Sequence, residues 1–205
     1  RLISGDMGIR TRYVSKGQDA TSSTLDPGIV AEQDSVRSEV SYPAKKIVNL
    51  SMMYERDDWR MQRQSIGECI RRHAGSLKEM NYLEGRTESD MLYKSWMISA
   101  IGLSLARLDE SGFELGSDEA NYHDWVSMRA NEISDYYRQH GCRNNHCYWA
   151  GVAAAVTGRY VGESSLLDFS RWTMQSAMEA ATPDGDLPAE LARGKLSVHY
   201  SAFAA

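Results

Sequence analysis

"YKSWMISAIGLSLARL", residues 93–108, is the clearest helical segment of the chain. Trp96, Ala100 and Leu103 follow one another at intervals of four and three residues, so they share one face of an α-helix. Alternation of apolar and polar residues, which indicates a half-buried β-strand, is scarce throughout. The same helical spacing recurs further along the chain, at Val126, Ala130, Ile133 and Tyr137. The patterning therefore predicts an all-α fold.

Helix boundaries are indicated by prolines, glycines and capping residues. No proline interrupts the chain between Pro43 and Pro183. Capping boxes at Thr87–Asp90 and Ser165–Asp168 predict helix starts. Glycines within residues 109–119 and 157–164 predict helix ends and connections. We expect about seven helices, centred near residues 38, 68, 98, 127, 151, 172 and 196, stacked side by side as hairpins.

Length and charge limit the classes of function. The 205 residues suit one domain with a real core. The formal net charge of −5 argues against a broad nucleic-acid surface, which needs a basic face. No apolar run approaches the roughly 20 residues that span a bilayer. An acidic chain can still hold an anionic substrate, but only through a local cluster of cations and amides.

The N-terminal residues differ in composition from the rest of the chain. They are polar, poor in apolar residues, and include "SKGQDATSST" at 15–24. A segment of this kind cannot bury a face of its own. We therefore expect a polar arm or lid loop over residues 1–25, followed by a domain over residues 26–205.

"HGCRNNHCYWAG", residues 140–151, is the first of two polar strips that can carry chemistry. The spacing of Cys142 and Cys147 lies at the edge of the usual zinc pattern, but no second Cys or His pair completes the site. A cysteine nucleophile is equally weak, because sequence adjacency to His146 does not make a thiolate–imidazole pair. Alternatively, Asn144 or Asn145 caps the helix that follows. Capping accounts for one asparagine and leaves the other unexplained.

"DGDLPAELARGKLSVHYSAFA", residues 184–204, is the second strip. Pro188 suits an early helical position and Glu190 suits a first turn. In a continuous helix Arg193 and Tyr200 share one face about 10 Å apart, which brackets one sugar unit. Alternatively, Arg193 is a solvated surface cation and Tyr200 a half-buried core aromatic.

The two strips together resemble the signature of the alginate lyases, polysaccharide lyase family 5. That family pairs N-N-H-x-Y-W with D-G-x-L-P-x-E-L-x-R, and a tyrosine follows seven residues after the arginine. The matching positions in this sequence are Asn144, Asn145, His146, Tyr148, Trp149, Asp184, Gly185, Leu187, Pro188, Glu190, Leu191, Arg193 and Tyr200. The resemblance implies an incomplete α/α toroid, a barrel of helical hairpins.

The resemblance also implies an activity: cleavage of the 1,4 bond of polyuronates, chiefly poly-β-D-mannuronate, by β-elimination. Asn145 and Arg193 would neutralise the substrate carboxylate, because an amide and a guanidinium are suitable donors. Tyr200 would shuttle the proton, since a neighbouring cation favours its phenolate. His146 would act as a base, as a carboxylate donor or as the group that polarises Tyr200. No metal and no organic cofactor is implied.

Further expectations concern binding and context. Asn144, Tyr148, Trp149 and Lys16 are expected to contact the substrate, and Trp149 is either a sugar-stacking platform or a core aromatic. The implied partner is an anionic polysaccharide bound by a monomer, with no nucleic acid and no membrane. Family members are periplasmic or secreted, so we expect the same location.

The family resemblance leaves one alternative open. Family members continue past Tyr200 with further helices that close the toroid, so we expect a domain truncated at its C-terminus with an exposed apolar edge. The alternative function is accordingly a non-catalytic uronate-binding helical domain or an inactive lyase fragment.

Overall fold

A computed structural model describes residues 13, 15, 17–78, 87–116 and 119–204, and this part of the chain is all-α. The α-helices are α1 Pro27–Glu55, α2 Arg63–Lys78, α3 Glu88–Glu110, α4 Glu119–His140, α5 Asn145–Val161, α6 Ser164–Ala180, α7 Pro188–Leu191 and α8 Ser197–Ala204. Short 3-10 helices cover Asp57–Gln62 and Gly194–Leu196. Within the described ranges, extended pairing is limited to an isolated bridge between Tyr13 and Leu25. No helix in these ranges has the length and apolarity to cross a membrane.

Six long helices lie where the sequence predicts them, and their ends show why. Thr87 and Asp90 form the predicted capping box at the start of α3, with the Asp90 amide 3.1 Å from the Thr87 hydroxyl. Gly162 caps the end of α5 in the left-handed conformation, with φ of +74°. The predicted capping box at Ser165–Asp168 is wrong, because α6 begins at Ser164 after Glu163.

The Glu163 carboxylate explains that correction. It accepts hydrogen bonds from the side chains of Ser127 and Asn131 in α4, and from the Ser165 hydroxyl. The Glu163 carboxylate thus bridges α4 and α6, and α6 begins directly after Glu163 without the capping box that the sequence pattern predicts. These hydrogen bonds hold the pKa of Glu163 below its usual value against the opposing effect of burial.

The predicted seventh helix is wrong as a continuous element. Helix α7 ends at Leu191, and α8 begins only at Ser197. Between them Gly194 takes φ of +57°, a left-handed conformation that an α-helix cannot contain. A Cβ at Gly194 would lie 3.1 Å from the Thr21 hydroxyl oxygen, so the N-terminal segment packs directly on this turn. The left-handed conformation of Gly194 supplies the physical reason why α7 and α8 are not continuous.

Helix α3 lies at the centre of the fold and packs against α1, α4 and α5, while α5 also packs against α6. The predicted α4 stripe, Val126, Ala130, Ile133 and Tyr137, is fully buried, as expected. The α3 stripe is different, because Leu103 is 51% exposed. The buried faces of α3 carry other residues, among them Met97, Ile98, Ile101 and Leu105.

An apolar groove of about 530 Å³ runs along α3 and α5, on the face of α3 that carries Trp96, Ala100 and Leu103. It is lined by Trp96, Ser99, Ala100, Leu103, Trp149, Val152 and Val156. Its walls are almost wholly carbon.

Two close contacts lock neighbouring helices together. A Cβ at Gly151 of α5 would lie 1.9 Å from the Thr173 hydroxyl oxygen of α6, so only glycine allows this approach. Between α3 and α4, the fully buried Lys94 ammonium lies 2.6 Å from a Glu132 carboxylate oxygen. Burial lowers the pKa of Lys94, and the Glu132 carboxylate opposes that effect.

Candidate active site

The first polar strip forms the start of α5, and Asn144 is its cap. The Asn144 side-chain oxygen accepts the His146 amide at 3.1 Å, and its backbone is extended. Its Nδ2 donates to Glu88 Oε1 of α3 at 2.9 Å. Of the two asparagines that the sequence offered as caps, Asn144 takes the role.

Asn145 has a different environment from its neighbour, because it is only 2% exposed. Its backbone N–H donates to Glu190 Oε1 at 2.8 Å, and its Nδ2 donates to Glu190 Oε2 at 3.1 Å. Glu190 belongs to α7 and is equally buried. The buried Asn145 Oδ1 makes no hydrogen bond to the described part of the protein. The two polar strips of the sequence therefore meet through this pair.

His146 lies one residue further along α5, with one fifth of its side chain exposed. Its Nδ1 is 3.3 Å from Glu88 Oε1, close enough for an ion pair when the ring is protonated, although hydrogen-bond geometry is absent. Glu88 thus contacts both Asn144 and His146. Sequence reasoning missed this role, since Glu88 has the pattern of an ordinary acidic residue in a helical first turn.

Cys142 and Cys147 are joined in a disulfide that encloses the asparagines and His146. This corrects the zinc alternative, because a cysteine ligates zinc as a free thiolate and neither sulfur is free. Cys69 is an exposed free cysteine. Within the described ranges, no group of three or more His, Cys, Asp or Glu residues is arranged to hold a metal ion.

Tyr148 and Trp149 continue the strip away from the cap. Tyr148 is half-buried, and burial together with the charge of Glu190 raises the pKa of its phenol. The Trp149 ring packs edge-to-face against Trp96, with centroids 6.4 Å apart. Trp149 therefore lies at one end of the apolar groove, partly exposed and close to His146 in sequence.

Arg193 and Tyr200 are much closer together than a continuous helix would place them. The Arg193 guanidinium carbon lies 4.2 Å from the centroid of the Tyr200 ring. The continuous helix that would separate the two residues by about 10 Å along its axis is not formed, because α7 ends at Leu191 and α8 begins at Ser197. The solvated-cation alternative is also wrong, since Arg193 is half-buried and Tyr200 is 8% exposed.

The N-terminal segment covers this pair. The Tyr13 hydroxyl is hydrogen-bonded to the Tyr200 hydroxyl, and the Tyr13 ring lies 5.2 Å from the Arg193 guanidinium carbon. Arg193 Nη2 donates to the Ser22 carbonyl at 3.0 Å. Sequence reasoning missed Tyr13, whose one signal was a large aromatic in an otherwise polar arm. Lys16 lies outside the described residues, so its predicted role stays a prediction.

Asp19 organises the loop between Tyr13 and α1. Its carboxylate accepts the backbone amides of Thr21, Ser23 and Thr24 at 3.0, 2.8 and 2.7 Å. Hydrogen bonds from the Thr21 hydroxyl and the Ser23 amide are the main causes that hold the pKa of Asp19 well below its usual range. The described part of the arm is therefore a hydrogen-bonded cover; its division from the domain at residue 25 stays a prediction.

The fold is all-α, and the N-terminal segment covers a guanidinium and a phenol, those of Arg193 and Tyr200. Glu190 connects this pair to the Asn145 amide, while the His146 imidazole lies against Glu88. The chain belongs to the alginate lyase family, whose sequence model matches residues 21–205. The resemblance noted in the two polar strips is thereby confirmed.

Individual relatives agree with this assignment. A protein from Stenotrophomonas maltophilia (strain K279a) named "Polysaccharide lyase" is 22% identical over 199 residues, covering 94% of this chain and 58% of the relative. A variant of alginate lyase A1-III complexed with a tetrasaccharide superposes with a TM-score of 0.78 at 17% identity. Alginate lyase A1-III from Sphingomonas species A1 superposes at 0.72 with 18% identity.

The two superpositions confirm the all-α toroid fold. Each covers 99% of this chain and 55% of the solved structure. The chain thus spans little more than half the length of the relatives it matches.

Proposed function

We propose that this chain is the part of a polysaccharide lyase that carries its catalytic groups, and that it cleaves a polyuronate by β-elimination. One observation carries the proposal. The Arg193–Tyr200 pair in the second strip is connected, through the hydrogen bonds of Glu190, to Asn145 in the first strip. Groups more than forty residues apart in the sequence thus share one covered site.

The chemistry explains why a donor pair is needed. The reaction breaks the C5–H bond next to an ionised carboxylate, and negative charge develops towards that group in the transition state. Donors fixed in advance stabilise this charge strongly in a site that excludes water. In the proposal Arg193 contributes a guanidinium, of which one N–H is used by Ser22, and Asn145 contributes the Nδ2 proton that Glu190 leaves unused.

Proton transfer is the second requirement. The electron pair of the broken C5–H bond forms the C4=C5 double bond, the C4–O bond breaks, and the leaving oxygen takes a proton. In mannuronate the C5 proton and the C4–O bond lie on the same side of the ring. We assign both steps to Tyr200, which takes the C5 proton and returns it to O4, with the Arg193 guanidinium stacked over its ring.

The substrate class follows from that geometry. One residue that does both steps favours poly-β-D-mannuronate, whereas a guluronate or glucuronate linkage needs His146 on one side and Tyr200 on the other. Asn144, Tyr148, Trp149 and Lys16 are proposed substrate contacts. The proposed partner is an anionic polysaccharide, bound by a monomer.

Location is part of the same proposal. A disulfide persists in oxidising compartments such as the periplasm or the cell exterior. The Cys142–Cys147 bond next to the proposed catalytic strip supports a periplasmic or secreted protein. Fractionation of the native host, with the chain detected by immunoblot, tests this directly.

The decisive experiment follows ultraviolet absorbance of the conjugated double bond on poly-mannuronate, poly-guluronate and polyglucuronate. We expect absorbance to rise on poly-mannuronate for the parent and to stay flat for Tyr200→Phe. Tyr160→Phe is the matched control, because that half-buried tyrosine packs against His123 near the opposite end of α5. Calorimetric binding to poly-mannuronate should survive in Tyr200→Phe. A parent that binds but yields no absorbance on any substrate would favour the non-catalytic uronate-binding alternative.

A further inference from the structure

We infer that Glu190 is the positioning residue of this site: its buried carboxylate fixes the orientation of Asn145 and its distance from Arg193. The expected effect of Glu190 on kcat rests on the proposed function, whereas its effect on the orientation of Asn145 does not. Glu190 was part of the sequence resemblance without any role assigned to it.

The first observation concerns the direction of the Asn145 amide. Both Glu190 oxygens are used by Asn145, one by the backbone N–H at 2.8 Å and one by Nδ2 at 3.1 Å. A flipped amide would bring Oδ1 against a carboxylate oxygen, where two acceptors repel each other. Glu190 therefore keeps Nδ2, the donor, at one defined place. Without it the amide could present its oxygen to the substrate carboxylate.

The second observation concerns the link to Arg193. The backbone carbonyl of Glu190 accepts the Arg193 amide at 3.1 Å. One residue thus bonds to Asn145 through its side chain and to Arg193 through its main chain. The turn at residues 190–193 therefore connects the main chain of Arg193 to the side chain of Asn145, the two residues proposed to neutralise one substrate carboxylate.

Burial makes the hydrogen bonds between Glu190 and Asn145 sensitive to substitution of either residue. Glu190 and Asn145 are each 2% exposed, so neither can exchange its partner for water without moving. A buried donor that loses its acceptor bears the full cost of its desolvation. Glu190 is accordingly a positioning residue, not a catalytic one, because its oxygens face Asn145.

The test uses Glu190→Gln and a matched control, Glu163→Gln. Glu163 also bridges two helices and also accepts an asparagine side chain, Asn131 Nδ2 at 2.9 Å, but it lies in the α4–α6 contact. We expect Glu190→Gln to lower kcat roughly tenfold to a hundredfold, since a hydrogen bond to a charged group is lost, with little change in KM. Glu163→Gln should retain the kcat of the parent.

A double-mutant cycle separates positioning from general loss of structure. If Glu190 acts through Asn145, then Glu190→Gln should change kcat less than about twofold in an Asn145→Ala background. Equal losses in both backgrounds would overturn the inference. Glu190→Asp provides a second route, because it keeps the charge but shortens the reach, and it should lose kcat as Glu190→Gln does.

A readout without activity distinguishes this inference from the proposed function. By NMR, the backbone amide proton of Asn145 should exchange with solvent at least tenfold faster in Glu190→Gln than in the parent. Glu163→Gln should leave this exchange rate unchanged. If the parent shows no elimination, the proposed function fails while this measurement still decides the positioning role. Unchanged exchange in Glu190→Gln would refute that role whatever the activity.

Discussion

Gly194→Ala is the substitution that most directly tests how the N-terminal loop covers the site. Gly194 has φ of +57°, and a Cβ there would lie 3.1 Å from the hydroxyl oxygen and 3.3 Å from the Cβ of Thr21. Alanine therefore has two separate effects: it strains the backbone at residue 194, and its Cβ crowds Thr21 in the loop. Gly162→Ala carries the first effect alone, because Gly162 has φ of +74° and a Cβ added there would have no neighbour within 4 Å among the described residues.

The two effects have different magnitudes. A left-handed non-glycine residue costs about 1–2 kcal/mol, so both variants should melt roughly 2–8 °C below the parent. Displacing Thr21 also moves Ser22, whose carbonyl accepts Arg193 at 3.0 Å. A hydrogen bond to a charged donor contributes about 1.5–3 kcal/mol. The open form of the loop should thus become roughly tenfold to a hundredfold more populated in Gly194→Ala only.

Chymotrypsin provides the assay, because it cleaves after tyrosine and Tyr13, which belongs to the covering N-terminal segment, is only 7% exposed. Mass spectrometry of timed digests gives the rate of cleavage after Tyr13, and circular dichroism gives the melting temperature. We expect both glycine variants to lose stability, Gly194→Ala at least as much as Gly162→Ala, and Gly194→Ala alone to be cut faster. Equal cleavage rates in the two variants would refute the reasoning that the loop rests on the Gly194 turn.

Three further predictions concern other contacts. Asp19→Asn should speed cleavage after Tyr13 at neutral pH. In the parent, the lowered pKa of Asp19 means that the ionised carboxylate stabilises the loop above pH 3.8, the ordinary pKa value, and that this stabilisation is lost as the pH falls below it. Hydrogen exchange of the loop should show this loss, whereas exchange in the Asn variant should show no such pH dependence. Maleimide labelling should modify one thiol, Cys69, before reduction and three after reduction in denaturant; three before reduction would exclude the disulfide. Gly151→Ala should destabilise the protein by about 1–3 kcal/mol in urea unfolding, because its Cβ overlaps the Thr173 hydroxyl. Thr173→Ala in the same chain should recover part of that loss, whereas simple addition of the two losses would contradict the contact.

Local chemistry made the long helices predictable. The capping box at Thr87 was predicted, and α5 ends at Gly162 within the glycine-containing segment 157–164 that predicted a helix end. The packing of α4 was equally clear, since one stripe of that helix carries its apolar residues. Helix α3 was harder, because apolar residues on several faces left no way to tell the core face from the groove.

Contacts between distant residues account for what the sequence did not reveal. Tyr13 approaches Tyr200 across 187 positions, and no spacing rule connects them. The break at Gly194 lies where Thr21, more than 170 residues earlier, packs on the turn, and no local pattern shows that contact. The family pattern named Glu190, but a first-turn glutamate usually faces solvent, and its bonds to Asn145 become visible only in the fold. The catalytic and substrate-binding roles themselves stay predictions that the kinetic experiments above address.

The apolar groove along α3 and α5 has a practical consequence for handling the protein. Dyes that fluoresce on apolar surfaces, such as anilinonaphthalene sulfonate, bind exposed hydrophobic regions irrespective of unfolding. A pocket of about 530 Å³ with carbon walls should therefore give a high dye signal in the native state, and the further rise on unfolding in a dye-based melting curve would be small. The same geometry offers a better probe. Trp96 and Trp149 both line the groove, so their intrinsic emission should shift to the blue whenever a hydrophobic ligand or helix fills it.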